Sequence, residues 1–269
     1  MPTLADIRAD LAAEHGALDD LVAAVGTDQF AMATPAEGWD VADQLGHLGY
    51  FDRAATQAII DPEAFEQTVA SLMSTSDDVA AMDATLAEPR SLDAGEVVAW
   101  WRTGRDLLQE AAASLDESTR LPWYGPPMGA KSFLTARLME TWAHGLDIAD
   151  TIGVEVEPTD RLLHICHLGV LTRAFSYIVR GREVASGDVR VELAGPGGDR
   201  WTFGPENSSD RVTGPAVDFC QVVTQRRHVD DTAIEATGPL AVEWMSIAQA
   251  FAGGPGPGRE RGPYAEVVQ

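Results

Sequence analysis

The chain has 269 residues, and its 42 acidic and 19 basic side chains give a formal net charge of −23. Such a surface repels phosphate, so we exclude nucleic acid and anionic membranes as partners and expect a small-molecule substrate. No apolar run approaches the ~20 residues that cross a bilayer, and we expect no signal peptide. The two cysteines, Cys166 and Cys220, form no CxxC pair, which predicts buried thiols in a cytoplasmic protein.

The first part of the chain is predicted to form long amphipathic helices. Apolar residues recur at three- and four-residue steps over residues 4–25, and Gly26 ends this first helix. His15 falls on the same apolar stripe, so we expect it to be a core residue. Asp40 is the predicted N-cap of a second helix, whose buried stripe covers residues 41–59.

A shorter helical insert is expected over residues 62–90, and a third long helix is predicted by the 3.6-residue rhythm of residues 97–115. Gly104, in the middle of that helix, indicates a close approach by a neighbouring element. Residues 121–129 form a loop rich in proline, glycine and aromatic side chains. Because this loop directly precedes the fourth helix, it is a candidate pocket wall.

The fourth helix carries the most informative pair of residues, Glu140 and His144. They are four residues apart, so their side chains project from the same helical face. His47, at the edge of the stripe on the second helix, is the candidate third ligand. Two imidazoles and one carboxylate leave coordination positions open, as a catalytic or substrate-binding metal requires. Most isolated pairs at this spacing are solvated surface contacts, so the hypothesis requires the two helices to be neighbours in a bundle.

Several other polar residues have two readings. Asp147 lies three residues after the fourth-helix histidine and could orient an imidazole, although a surface contact explains it equally well. Asp43 could do the same on the second helix, or could stabilise the first helical turn. His164 and His167 form a His-x-x-His pair, which we interpret as packing rather than as a metal site.

After Gly153 the predicted elements are no longer only helices. A helix is predicted over residues 161–180, and the alternation of apolar and charged residues predicts strands over 189–193 and 200–203. Two further helices are each predicted to start at a Thr-Gly-Pro phrase. The predicted fold class is therefore mainly α, a four-helix bundle followed by a smaller α+β domain. We assign residues 1–155 to the bundle, 156–253 to the α+β domain and 254–269 to a disordered tail.

Three features together resemble a known family. These are the helix start at Trp39-Asp40 leading into His47, the segment Glu140-Thr141-Trp142-Ala143-His144 with Asp147, and the short α+β domain that follows. They resemble the DinB-like metal-binding superfamily, and within it the mycothiol-dependent maleylpyruvate isomerase branch. An actinobacterial group of metal-binding proteins labelled with wyosine base formation is also similar.

The resemblance implies a DinB-like four-helix bundle that holds a divalent metal, usually zinc. It places that metal on His47, Glu140 and His144, and the glutamate is typical of the isomerase side of the superfamily. It also implies mycothiol as a cosubstrate and an arginine from the C-terminal domain at the active site. Arg226 and Arg227 are the candidates, and we choose Arg227 as the catalytic residue.

The leading functional hypothesis is a zinc-dependent, thiol-using enzyme, a mycothiol-dependent isomerase or S-transferase acting on a small electrophile. A metal with open positions lowers the pKa of a bound thiol toward neutrality. One alternative is a metal-dependent hydrolase that uses a metal-bound water. The other is a non-catalytic module that binds a metal or a ligand. We expect a monomer or a homodimer.

Overall fold

The computed structural model describes residues 2–74, 78–256 and 258–262. The chain divides into two compact units, and the boundary between them follows Glu155. Among the described residues, none of the helices combines the length and the hydropathy that a membrane span needs. Position 257 and positions 263–269 of the predicted tail lie outside the described residues, as do positions 75–77 of the predicted helical insert. The described part of the tail contains no helix or strand.

The first unit is helical. Its helices are α1 (Leu4–Ala23), α2 (Val41–Ile60), α3 (Pro62–Met73), α4 (Asp78–Leu86), α5 (Ala94–Ala111) and α6 (Ala130–Ile152). The four long helices contact one another in a closed ring, because α1 and α2 each pack against both α5 and α6. This arrangement is a four-helix bundle, and the predicted third helix ends earlier than expected, at Ala111.

Three of the four long helices begin where polar side chains satisfy free backbone N–H groups of the first turn, whereas α6 begins after Gly129 without a side-chain cap. Thr3, Asp40 and Asp93 are the N-caps of α1, α2 and α5, and each forms a reciprocal capping box with the residue three positions later. The predicted start of α2 at Asp40 is therefore confirmed. These caps determine the residue at which each helix starts, and so the direction in which its later side chains project.

The bundle core is made of aliphatic side chains together with Phe30 and the fully buried Trp101. At the crossing of α2 and α5 the backbones come close together. A Cβ atom added to Gly104 would lie 2.9 Å from the carbonyl oxygen of Gly49, and one added to Gly49 would lie 2.5 Å from the Trp100 ring. Both positions therefore require glycine for steric reasons, and the close approach predicted from Gly104 is confirmed.

A short hairpin connects α5 to α6. Strands β1 (Arg120–Leu121) and β2 (Met128–Gly129) pair antiparallel, and the loop between them carries Trp123 and Tyr124. The aromatic loop is therefore held at both ends immediately before the helix that bears the predicted ligands.

The second unit combines helices with a four-stranded sheet. Its helices are α7 (Leu162–Leu171), α8 (Arg173–Ile178), α9 (Ala216–Val223) and α10 (Pro239–Ile247). Its strands are β3 (Val189–Ala194), β4 (Arg200–Phe203), β5 (Asp210–Pro215) and β6 (Glu235–Thr237), in the order β4-β3-β5-β6. Only the β3–β5 pair is parallel among the described strand pairs of this sheet. The predicted fold class, mainly α with a smaller α+β part, is confirmed.

The two Thr-Gly-Pro segments lie at the ends of strands that were not predicted from the sequence. Each lies at a junction where a strand runs directly into a helix, β5 into α9 and β6 into α10. Strands β5 and β6 pair antiparallel, so the two segments lie at opposite ends of this strand pair, with Thr213 opposite Glu235 and Thr237 opposite Arg211. The predicted helix 161–180 is also interrupted at Thr172, where α7 ends and α8 begins.

The second unit also buries both cysteines. The sulfur atoms of Cys166 and Cys220 lie 3.5 Å apart, and neither side chain reaches solvent. Burial, together with the neighbouring thiol, raises the pKa of Cys220 well above its ordinary value. The positions agree with the prediction that both thiols are buried, and such buried thiols are typically unreactive.

Candidate metal centre

Helices α2 and α6 bring three potential metal ligands together in the first unit. His47 lies on α2, and Glu140 and His144 lie one turn apart on α6. Each residue offers one donor atom, and the three donor atoms lie within 4.8 Å of one another. The residues that the sequence assigned to one metal site are therefore neighbours, although about ninety positions separate His47 from the other two.

One carboxylate oxygen faces both imidazoles. Glu140 Oε2 is 3.1 Å from His144 Nε2 and 3.5 Å from His47 Nε2. The centroids of the two imidazole rings are 4.4 Å apart. Both histidines are buried, whereas 19% of the Glu140 side chain is exposed. The group is therefore closed on the histidine side and partly open on the carboxylate side.

Electrostatics favour the ionised form of Glu140. Burial alone would raise the pKa of its carboxyl group, because desolvation disfavours a charge. Hydrogen bonds and charge interactions with His144 and His47 outweigh burial and hold the pKa well below its usual value. Glu140 is consequently a carboxylate at neutral pH, which is the protonation state that binds a cation.

A buried amide contacts the back of His144. The Oε1 atom of Gln44 lies 2.5 Å from His144 Nδ1, and its Nε2 atom donates a hydrogen bond of 2.8 Å to Thr34 Oγ1. Gln44 was not among the residues predicted from the sequence. Its signal was a polar side chain on the apolar stripe of α2, one turn after Val41 and one turn before Leu48, where burial requires a hydrogen-bond partner.

Aromatic rings surround the two histidines. Trp39 lies 5.0 Å from the His47 ring and is stacked at 5.9 Å on that of His144, while Phe51 lies 4.6 Å from the His47 ring. Tyr124, from the loop before α6, packs against Phe51 at 5.3 Å, as does the neighbouring Trp123 at 6.2 Å. The loop predicted as a pocket wall thus contacts an aromatic side chain next to the candidate ligands.

The structure also shows the surroundings of Asp43 and His15, two other polar residues discussed from the sequence. Asp43 does not serve His47, because its carboxylate accepts hydrogen bonds from Arg90 Nε at 2.8 Å and Arg90 Nη2 at 3.1 Å. The Asp43 carboxylate is thus paired with the Arg90 guanidinium. It also accepts the backbone N–H of Asp40 in the capping box of α2. His15 is a core residue, as expected, with 3% of its surface exposed.

Two predicted site residues remain predictions. Asp147 is buried on α6, one turn after His144, and its backbone carbonyl accepts a hydrogen bond from Thr151. Arg227 lies in the second unit, just after α9, where its Nη1 atom donates a hydrogen bond of 2.8 Å to the carbonyl oxygen of Arg226.

The first unit matches a family model. The model of the mycothiol maleylpyruvate isomerase N-terminal domain matches residues 11–149, which include all three candidate ligands. An uncharacterised protein of Mycobacterium tuberculosis strain H37Rv is 44% identical over 251 residues, with 93% of this chain and 97% of the relative covered. The corresponding protein of strain CDC 1551 gives the same values.

Two solved structures share the fold. The crystal structure of the mycothiol-dependent maleylpyruvate isomerase aligns with a TM-score of 0.59 and 15% identity, covering 90% of this chain and 96% of that one. The structure of a histidine-to-alanine mutant of that enzyme aligns with the same TM-score and coverage at 14% identity. The resemblance found in the sequence is thereby confirmed at the level of the family and the fold.

Proposed function

Because the chain belongs to the mycothiol maleylpyruvate isomerase N-terminal domain family, we propose that it is a metal-dependent enzyme that uses a low-molecular-weight thiol. The metal is a divalent cation, with zinc as the first choice, and mycothiol is the proposed thiol. The reaction is an isomerisation or an S-transfer on a small electrophilic substrate. The observation that carries the proposal is the convergence of His47, Glu140 and His144 on one point.

The donor set fits the proposed cation. Two ligand atoms bound at ordinary zinc distances in a tetrahedral site lie about 3.3 Å apart. Glu140 Oε2 is separated from the two Nε2 atoms of the histidines by 3.1 and 3.5 Å. Two neutral imidazoles and a carboxylate are also ligands that zinc accepts, and three protein ligands leave room for a thiol.

The residues around the site have separable tasks in this proposal. When bound, the metal lowers the pKa of a coordinated thiol, so that a nucleophilic sulfur is available at neutral pH. Glu140 supplies the negative charge of the site, and His47 and His144 supply neutral donors. Trp39 and Phe51 cover the imidazole rings and keep water away from them. Arg227 is the proposed catalytic arginine and would contact an acidic substrate.

The test compares thiol consumption with and without metal. The full chain is stripped with a chelator, reloaded with Zn²⁺, and incubated with mycothiol and model electrophiles. We expect metal-dependent consumption of the thiol that is abolished in His47→Ala and Glu140→Ala. Glu66→Ala, which removes an exposed glutamate of α3, is the matched control and is expected to behave like the wild type.

Each result leads to a definite conclusion. If no electrophile supports metal-dependent thiol consumption, the proposal is wrong. Turnover of an amide or ester without mycothiol would favour a hydrolase instead. Arg227→Ala is expected to lower turnover while the metal content stays unchanged, and a wild-type rate in that variant would remove Arg227 from the proposal.

A further inference from the structure

Gln44 is a fully buried amide at the back of the candidate metal centre. Its side chain extends from α2 and contacts His144 of α6 on one side and Thr34 on the other. An amide has distinct donor and acceptor ends, so its orientation determines which kind of group each neighbour must present. The contacts of Thr34 reveal that orientation.

The hydrogen bonds of Thr34 have one consistent direction. Its hydroxyl group lies 2.9 Å from the carbonyl oxygen of Trp39, and a carbonyl oxygen can only accept, so the single hydroxyl proton is donated there. Thr34 Oγ1 is then an acceptor for its other close neighbours. It accepts from the backbone N–H of Ala36 at 3.3 Å and from the amide nitrogen of Gln44 at 2.8 Å.

This direction is transmitted through Gln44 to the histidine. Because the amide nitrogen donates to Thr34, the amide oxygen must face His144 Nδ1, and an oxygen acceptor requires a proton on that nitrogen. As a metal ligand His144 would be neutral, and with its proton on Nδ1 it would offer a lone pair on Nε2 in place of the hydrogen bond that Nε2–H donates to Glu140. Nε2 is the atom that faces Glu140 Oε2 at 3.1 Å.

We propose that Gln44 is a positioning residue that selects the Nδ1–H tautomer of His144 and orients its ring, with Thr34 as its anchor. The inference rests on the proposed function, since it takes His144 as a metal ligand. The hydrogen bonds that run from His144 through Gln44 and Thr34 to Trp39 form a relay. Its last acceptor is the backbone carbonyl of Trp39, so the fold determines the orientation of the Gln44 amide. An outer-shell partner of this kind contributes about 10- to 100-fold to metal affinity.

The first experiment measures the Zn²⁺ affinity of the full chain by competition with a chromogenic chelator. We expect Gln44→Leu to bind Zn²⁺ about 10- to 100-fold more weakly than the wild type. Gln44→Glu retains an acceptor oxygen and is expected to lie closer to the wild type than to Gln44→Leu. The matched control is Gln109→Leu, which removes an amide 3.4 Å from the Nδ1 atom of a different histidine, His15, and should leave the affinity unchanged.

The relay also predicts how two substitutions combine. Thr34→Val removes the acceptor that orients the Gln44 amide, so it should weaken Zn²⁺ binding less than Gln44→Leu does. Added to Gln44→Leu, it should have little further effect, because its influence passes through the amide. Fully additive losses would contradict the relay, and wild-type affinity in Gln44→Leu would overturn the proposal.

A second measurement requires no substitution in the relay. Nitrogen-15 NMR of the Zn²⁺-loaded wild type should show His144 with a protonated Nδ1 and a metal-bound Nε2. Metal bound through Nδ1 would overturn the inference even if the variants failed to fold. The proposed function fails separately, if the wild type does not bind Zn²⁺ at all.

Discussion

Among the described residues of the bundle, two clusters pair a carboxylate with histidine, and their difference indicates which one has the composition of a cation site. In the first, Glu140 faces His47 and His144. In the second, Asp52 of α2 accepts two hydrogen bonds from Arg137 of α6, at 3.1 and 3.0 Å, and its other oxygen lies 3.7 Å from His15 Nε2. Both clusters connect helices of the same bundle.

The decisive difference is the source of positive charge. The guanidinium of Arg137 is permanently charged and neutralises Asp52 within the protein. Among the described residues, the side-chain partners of Glu140 are imidazoles, which are neutral when they serve as metal ligands. Asp52 is fully buried, while Glu140 is partly exposed and can be reached by an ion from solvent. The first cluster therefore has the composition of a binding site and the second that of a structural ion pair.

The largest expected effect comes from breaking the structural pair. Arg137→Met leaves the Asp52 carboxylate buried without its cation, and we expect the free energy of unfolding to fall by about 3–5 kcal/mol. Chemical denaturation monitored by circular dichroism measures this change. Asp52→Leu combined with Arg137→Met removes both charges, so the double variant should be more stable than Arg137→Met alone. A loss below about 1 kcal/mol in the single variant would place this pair among weak surface ion pairs.

The next effect distinguishes the two clusters by their response to metal. If Glu140 belongs to a binding site, Zn²⁺ at about 100 times its dissociation constant should stabilise the wild type by about 2.7 kcal/mol. Glu140→Gln should lose this stabilisation, yet destabilise the metal-free protein less than Arg137→Met does. Thermal unfolding with Zn²⁺ and with chelator tests both statements. Equal stabilisation of the wild type and Glu140→Gln would show that the zinc effect arises elsewhere.

The sequence was sufficient to predict which faces of α2 and α6 carry the three candidate ligands. Glu140 and His144 share a face because of helical periodicity, and capping at Asp40 determines where α2 begins and hence the direction of His47. These are local properties, and local properties can be read from spacing. The short strands β5 and β6 were missed because three to six residues beside a helix start carry little periodic signal.

Partners that depend on tertiary packing could not be predicted in the same way. Asp43 was a candidate to orient His47, but Arg90, forty-seven positions away, binds it instead. Gln44 contacts His144 across one hundred positions. His15 was correctly placed in the core by its apolar stripe, yet nothing in the stripe indicated that Asp52 would lie beside it. A single sequence contains residue types at given spacings, whereas these pairs depend on which helices become neighbours.

The smallest expected effect concerns His15 and the pH dependence of stability. Burial lowers the pKa of His15, and Asp52 opposes this shift, while Arg137 and Arg105 reinforce it and Asp106 opposes it. The unfolded chain has the ordinary histidine pKa near 6.5, so below that pH it takes up a proton that the folded protein resists. The stability linked to His15 is therefore present above pH 6.5 and is lost as the pH falls toward the lowered pKa of the folded state.

His15→Leu should accordingly lose less unfolding free energy than the wild type between pH 7 and pH 5, measured by denaturant titration in the presence of chelator. Carboxylates titrate in both proteins, so the difference between the two curves isolates the histidine. Parallel curves for His15→Leu and the wild type would mean that folding leaves the proton affinity of His15 unchanged, which would contradict the lowered pKa. A smaller loss in the wild type than in His15→Leu would mean that the second cluster holds His15 charged, and the contrast with the neutral imidazoles proposed around Glu140 would then fail.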